Sequence, residues 1–146
     1  MTTVAHGPAH VAGRARRLRA PLGAAAAIGA ATVGLLLRDP HRHGSWGLCP
    51  FKAITGWDCP LCGGLRAVND LGRAHVIDAA HSNLLFVATL PLVAVLWASW
   101  VRDSWTGSST RVPPAAVRPL VATALVVAVA FTVLRNTPWG ADWHVA

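Results

Sequence analysis

Three cysteines, Cys49, Cys59 and Cys62, fall within one 14-residue window, and their type and spacing are the chain's clearest hint of chemistry. The last two form Cys59-Pro60-Leu61-Cys62, followed by Gly63-Gly64 and by Leu65, Val68 and Leu71 at helical spacing. A cysteine at the start of a helix meets free N–H groups and the positive end of the dipole, which stabilise a thiolate and lower its pKa. The spacing therefore predicts the acidic thiol at Cys62. Arg66, four residues on and on the same helical face, adds to that field.

Four chemistries fit these residues. The first is structural: a cross-link or cysteine-lined knot that pins a long loop, with Cys49, Cys59, Cys62, Arg66, Asp70, Arg135 and Asn136 as its framework. In an oxidising compartment three cysteines give one disulfide and leave one thiol over. The second is a redox pair, Cys59 and Cys62 assisted by Arg66, in a membrane thiol–disulfide oxidoreductase. The third is a metal site, in which Cys49, Cys59 and Cys62 with His43 or His41 complete a Cys3His tetrahedron suited to zinc. A single Cys-x-x-Cys is a weak zinc signal where two would be strong. The fourth is a thiolate nucleophile, for which no partner base is evident. The chain has no acid–base pair in a plausible cleft, and Gly63-Gly64 lacks the spacing of phosphate-binding loops. Enzymatic activity is therefore the less favoured expectation. The favoured one is a structural or accessory protein.

The elements that must position these residues belong to a membrane protein. The chain has 146 residues, 53% of them hydrophobic and 13% charged, with no Glu and a mean hydropathy of +0.44. A soluble domain carries roughly 25% charged residues. Uncharged blocks at 20–37, 83–101 and 119–134 are each read as a membrane-spanning helix, the third extended back to 115 with Arg118 snorkelling. The run at 20–37 ends in Arg38-Asp39-Pro40 rather than a small-residue cleavage site, which favours a retained helix over a secretory signal. Trp97, Trp100 and Trp105 close the second span, and Trp139 and Trp143 follow the third, as interfacial belts do. The expectation is an all-α integral membrane protein with about three transmembrane helices.

Residues 1–19 read as a disordered basic cytoplasmic tail, and residues 20–146 as a single membrane domain. The net charge of +7 does not indicate nucleic acid, because the basic residues gather at the ends of apolar runs. The cluster Arg14, Arg16, Arg17 and Arg19 before the first span favours a cytoplasmic N-terminus, in a multi-pass protein of the bacterial cytoplasmic membrane. Its expected partners are the lipid bilayer and other membrane proteins. Residues 38–82 hold the cysteine loop and then a half-helix, 64–71, interrupted at Gly72 and resumed at 74–80, interfacial or re-entrant ahead of the second span. Arg135-Asn136 ends the third span on the same side, where Arg135 is read as a snorkelling anchor, with a pairing to Asp70 or Asp78 as the sharper alternative.

Cys49-Pro50-Phe51, Thr55-Gly56, Cys59-Pro60, Cys62-Gly63, Arg66-Ala67, Gly72, Asn83 and Arg135-Asn136 together resemble a bacterial membrane family catalogued as domain of unknown function 2752. The resemblance runs roughly over residues 46–137. Leu61, Gly64-Leu65, Arg73 and Leu84 depart from the family pattern, and the missing threonine removes a hydroxyl able to cap the helix. The resemblance implies membrane location and supplies no reaction.

Overall fold

The computed structural model describes residues 8–42, 46, 49–108 and 113–138, and every regular element among them is an α-helix. The order is α1 (Pro8–Leu37), α2 (Pro50–Thr55), α3 (Gly64–Gly72), α4 (Val76–Ser82), α5 (Leu84–Thr106) and α6 (Pro114–Arg135). Three stretches are long and apolar enough to cross a membrane: Gly13–Leu37 of α1, all of α5 and all of α6, with 25, 23 and 22 residues. The shortest extends about 33 Å, enough for a hydrocarbon core of roughly 30 Å. α5 continues through Pro91 and α6 through Pro119, as membrane-spanning helices tolerate.

Burial is inverted relative to a water-soluble protein. Buried polar residues (Asn69, Asp70, Asn83 and Ser104) stand beside the buried aliphatic residues Leu35, Ala67 and Ala79, while Ile28, Val95, Leu125 and Val126 are exposed. Lipid as the solvent accounts for this, since backbone and side-chain polar groups must then find partners inside the protein. The chain forms two compact units, Met1–Ala30 with Pro91–Arg111, and Ala31–Leu90 with Val112–Ala146.

In the first unit, α1 starts well before the apolar run. Residues 8–19, expected as an unordered tail, are helical, and residues 1–7 lie outside those described. The reason is non-local. The Arg14 guanidinium lies 4.6 Å from the centre of the Trp105 ring, and Arg17 Nε donates to the Ser104 carbonyl at 3.1 Å. A cation at the C-terminal end of α5 meets unpaired carbonyls and the negative end of the dipole. Gly107, at φ +77°, closes that end by donating to Asp103 O at 2.8 Å.

In the second unit, α3 and α4 form the broken half-helix expected from the sequence, with the break at Arg73–His75 and Ala74 at φ 63°. α3 caps the end of α1. Asn69, 1% exposed, donates to Leu35 O at 2.6 Å, and Arg73 donates to both Asn69 Oδ1 (3.0 Å) and Leu36 O (3.4 Å). Gly72 lies against Leu36, where a Cβ would stand 3.0 Å from a methyl carbon. Replacing Asn69 with alanine leaves a buried carbonyl unpaired. Thermal unfolding of the detergent-solubilised protein should register a loss of about 1–3 kcal/mol, and an unchanged midpoint would contradict this role for the side chain.

Candidate functional site

The thiol site is assembled from two turns. The first is the start of α2, an element the apolar pattern does not reveal. Pro50 occupies its first turn and Gly56, at φ +73°, ends it, an arrangement that suits proline's fixed φ and glycine's left-handed freedom. This makes Cys49 the residue preceding the helix, with its carbonyl accepting from Ala53 N at 3.0 Å. The second turn is Cys59–Cys62. There Cys62 N donates to Cys59 O at 3.0 Å, Gly64 N donates to Leu61 O at 2.9 Å, and Cys59 N points back at Cys62 Sγ, 3.2 Å away.

Together these turns bring the three sulfurs within 4.8 Å of one another, with Cys49 Sγ 3.5 Å from Cys59 Sγ and Cys59 Sγ 3.0 Å from Cys62 Sγ. All three residues are half-buried. Among the described residues no other group of His, Cys or Asp converges in this way. Three sulfur donors so placed can hold a metal ion.

Helix ends supply what holds the second turn. Asn83, 1% exposed, donates from Nδ2 to Pro60 O (2.9 Å) and Cys62 O (3.0 Å), while its Oδ1 accepts from Phe86 N at 2.9 Å and caps α5. Arg135 at the end of α6 donates to the same Cys62 O at 2.7 Å and to Ser82 O at 3.5 Å. Asn136 grips Asp58 on both sides, accepting from its N–H and donating to its carbonyl, each at 2.9 Å. Lys52 of α2 forms an ion pair with Asp58 at 2.9 Å. Gly63 is obligatory: its φ is +81°, and a Cβ there would collide with the Ser82 carbonyl oxygen.

The remaining residues singled out from the sequence fall elsewhere. Arg66 is half-buried and makes no hydrogen bond or ion pair to another described residue, so nothing ties its guanidinium to the thiols. Asp70 is held by His41 Nε2 and Ser82 Oγ, each at 2.9 Å, and Asp78 lies 3.8 Å from His75. Arg135 thus reaches carbonyls, and the alternative pairing with Asp70 or Asp78 is not formed. His41 is committed to Asp70 and does not face the sulfurs. His43, the other imidazole considered as a metal ligand, lies outside the described residues, as do Trp139 and Trp143. Asn83, Gly63, Asp58 and Lys52 join the site without having been expected there, although Gly63 and Asn83 stand among the residues of the family resemblance. Asn83 was legible in principle, as an Asn directly before an apolar helix three residues ahead of Phe86 N.

The expected ordering of the thiols is reversed. Cys49 is the acidified thiol: the Lys52 N–H at the start of α2 and the Cys59 thiol both stabilise its thiolate, outweighing burial. Burial, followed by the hydrogen bond with Cys59, pushes Cys62 up to about 12. The helix that lowers a cysteine pKa is α2; at Cys62 the Cys59 N–H also lowers the value, but burial and the Cys59 thiol outweigh it.

Residues 49–97, about a third of the chain, match the family described as a protein of unknown function (DUF2752). The match runs from Cys49 to Trp97 and takes in all three cysteines, Gly63 and Asn83. No curated protein and no solved structure matches the chain.

The two shifted thiols predict an order of reaction. In reduced, metal-free protein, iodoacetamide should modify Cys49 first near pH 8. Cys62 should lag, because a raised pKa keeps it protonated, and its rate should climb about tenfold per pH unit toward its pKa. Peptide mass spectrometry reads the order; equal rates at Cys49 and Cys62 would show that the assignment is wrong.

Proposed function

We propose that this chain is a small accessory protein of the bacterial cytoplasmic membrane whose inter-span segment is closed by a zinc ion on the thiolates of Cys49, Cys59 and Cys62. One observation carries the reading: three sulfurs from two separately built turns, 10 and 3 residues apart in sequence, converge within 4.8 Å. Thiolates about 2.3 Å from a common tetrahedral zinc ion lie about 3.8 Å apart, so sulfurs at 3.0 and 3.5 Å need to part only slightly to admit one, and a structural site takes a fourth ligand to complete the tetrahedron. Bound metal would also lower the thiol pKa values, so the raised value of metal-free Cys62 is compatible with ligation.

The reading extends to topology. Basic residues number seven on the side of the N-terminus and the second loop and six on the other, so orientation turns on the run Arg14, Arg16, Arg17 and Arg19 directly before the first span. This supports a cytoplasmic N-terminus, with the thiol segment at the outer face. Its rim favours the interface. Phe51, Ile54, Leu61, Leu65, Val76 and Ile77 are exposed apolar side chains outside the three long helices.

A second reading, thiol–disulfide exchange, is favoured by the acidified Cys49 lying 3.5 Å from Cys59. In a Cys59–Cys62 disulfide, attack by the Cys49 thiolate on Cys59 Sγ would form Cys49–Cys59 and release Cys62 as thiolate.

Metal analysis separates the two. Full-length protein purified in detergent from native membranes should carry about one zinc per chain, lost on Cys59→Ser or Cys62→Ser and weakened on Cys49→Ser. Zinc-free native protein, or zinc content indifferent to all three substitutions, would overturn the metal reading, and a disulfide in that zinc-free protein would favour exchange. Topology has its own measurement. In intact cells an impermeant maleimide should label the three cysteines only after chelation and reduction. Labelling that instead requires permeabilised cells would place the segment on the cytoplasmic side.

A further inference from the structure

The structure divides the four arginines that precede the first apolar run into two pairs with different work. Successive helical residues are about 100° apart, so Arg14, Arg17 and Pro21 share one face of α1 and Arg16 and Arg19 share the opposite one. The first face is committed to α5, through the stacking of Arg14 on Trp105, the bond from Arg17 to Ser104 O, and the bond from Trp97 Nε1 to Pro21 O at 3.2 Å. Arg16 and Arg19 are exposed and have no hydrogen bond or ion pair to another described residue. Nothing acidic lies near them on their own helix, because α1 contains no Asp or Glu.

We propose that Arg16 and Arg19 form a binding site for the phosphate headgroup of an anionic phospholipid. The proposal rests on α1 spanning the bilayer. The uncharged run begins at Ala20, so Arg19 and Arg16 lie about 1.5 and 6 Å beyond the apolar edge along the helix. That places both guanidinium groups in the polar zone of one leaflet, roughly 5–8 Å deep. A guanidinium is a planar fork that engages phosphate oxygens in pairs, and two forks one helical turn apart can share one headgroup. Trp100 and Trp105, exposed at the adjoining end of α5, supply the amphipathic rings characteristic of that depth. The lipid thus neutralises the charges that the protein leaves unmatched, while Arg14 and Arg17 are spent on packing.

The test reconstitutes the full chain in phosphatidylcholine vesicles containing a minor share of phosphatidylglycerol. It compares the contact of spin-labelled phosphatidylglycerol and phosphatidylcholine with the protein. The wild type should select phosphatidylglycerol. Arg16→Gln with Arg19→Gln should lower that preference severalfold, about fivefold per arginine at most, with an unchanged unfolding midpoint. Arg14→Gln with Arg17→Gln should lower the midpoint and keep the preference. Equal selectivity in the Arg16/Arg19 variant and the wild type overturns the proposal, as does displacement of the labelled lipid by millimolar-scale inorganic phosphate as effectively as by phosphatidylglycerol. In intact cells, opposite sidedness of Gly13→Cys and of the native thiols towards an impermeant maleimide reads the spanning of α1 independently. Protein with that sidedness and no lipid preference defeats the site alone, and equal sidedness defeats the spanning helix as well.

Discussion

The Cys62 carbonyl oxygen is the point on which the second unit depends. It accepts from Asn83 Nδ2 at 3.0 Å and from Arg135 Nη1 at 2.7 Å, and so joins the start of α5, the end of α6 and the cysteine turn. Tight turns leave carbonyls that no helix satisfies, and near a membrane water is a poor substitute. Both donors are fixed by what they do for their own helices. Asn83 cannot rotate away without uncapping α5, and Arg135 also reaches Ser82 O. The charge on Arg135 makes its bond stronger than an amide–carbonyl pair of similar geometry. Gly63 follows from the same constraint. Only a residue without a side chain lets the turn approach Ser82 O closely enough for Arg135 to bridge both carbonyls.

A polar interior then becomes a source of specificity. Asp70, Ser82 and His41 form one cluster, and Asn69, Arg73 and the last carbonyls of α1 form another. Apolar packing among exposed Leu and Val side chains in lipid is nearly degenerate, since lipid tails resemble them. Hydrogen bonds that would otherwise go unmade are directional, so they select one arrangement of α3 and α4 against the ends of the long helices. The left-handed Ala74 between α3 and α4 fits this view. A local backbone cost there is tolerated because His75 N reaches Asp70 O at 2.8 Å and keeps Asp70 in register with His41 and Ser82.

The three spans were legible because absence of charge over a whole helix is a local property that lipid rewards wherever the segment lies. The broken half-helix was legible for a similar reason, through Leu65, Val68 and Leu71, although the break falls at Arg73–His75 and not at Gly72, which still belongs to α3. What the sequence hid was pairing at long range. The residues that hold the cysteine turn are separated from it by 21 positions at Asn83 and 73 at Arg135, and the grip of Asn136 on Asp58 spans 78. No periodicity records such contacts. The helical start at Pro8 was hidden likewise, because the Arg14 and Arg17 contacts that fix it are with α5. The thiol order was misread through a local rule applied to the wrong helix. Pro50 and Gly56 already marked α2, but six residues are too few to show an apolar period.

The uneven anchoring of the three cysteines bears on what the cluster does. Cys59 and Cys62 sit in a turn held by Asn83, Arg135 and Asn136, and would keep their places without any bond between sulfurs. α2 is different: it reaches the rest of the unit through the Lys52–Asp58 ion pair, half-exposed on the lysine side, and through the approach of Cys49 to Cys59 and Cys62. Exposed ion pairs contribute about 0–1 kcal/mol. With no buried residue, α2 has no packed face to fix it either. A disulfide within Cys59–Cys62 would therefore lock what is already rigid and leave α2 loose. An ion drawing all three sulfurs together adds its constraint where the fold has least, at Cys49. The third cysteine is thus the one through which a bond or a bound ion would join a rigid turn to a weakly held helix, which a Cys59–Cys62 link alone would not do.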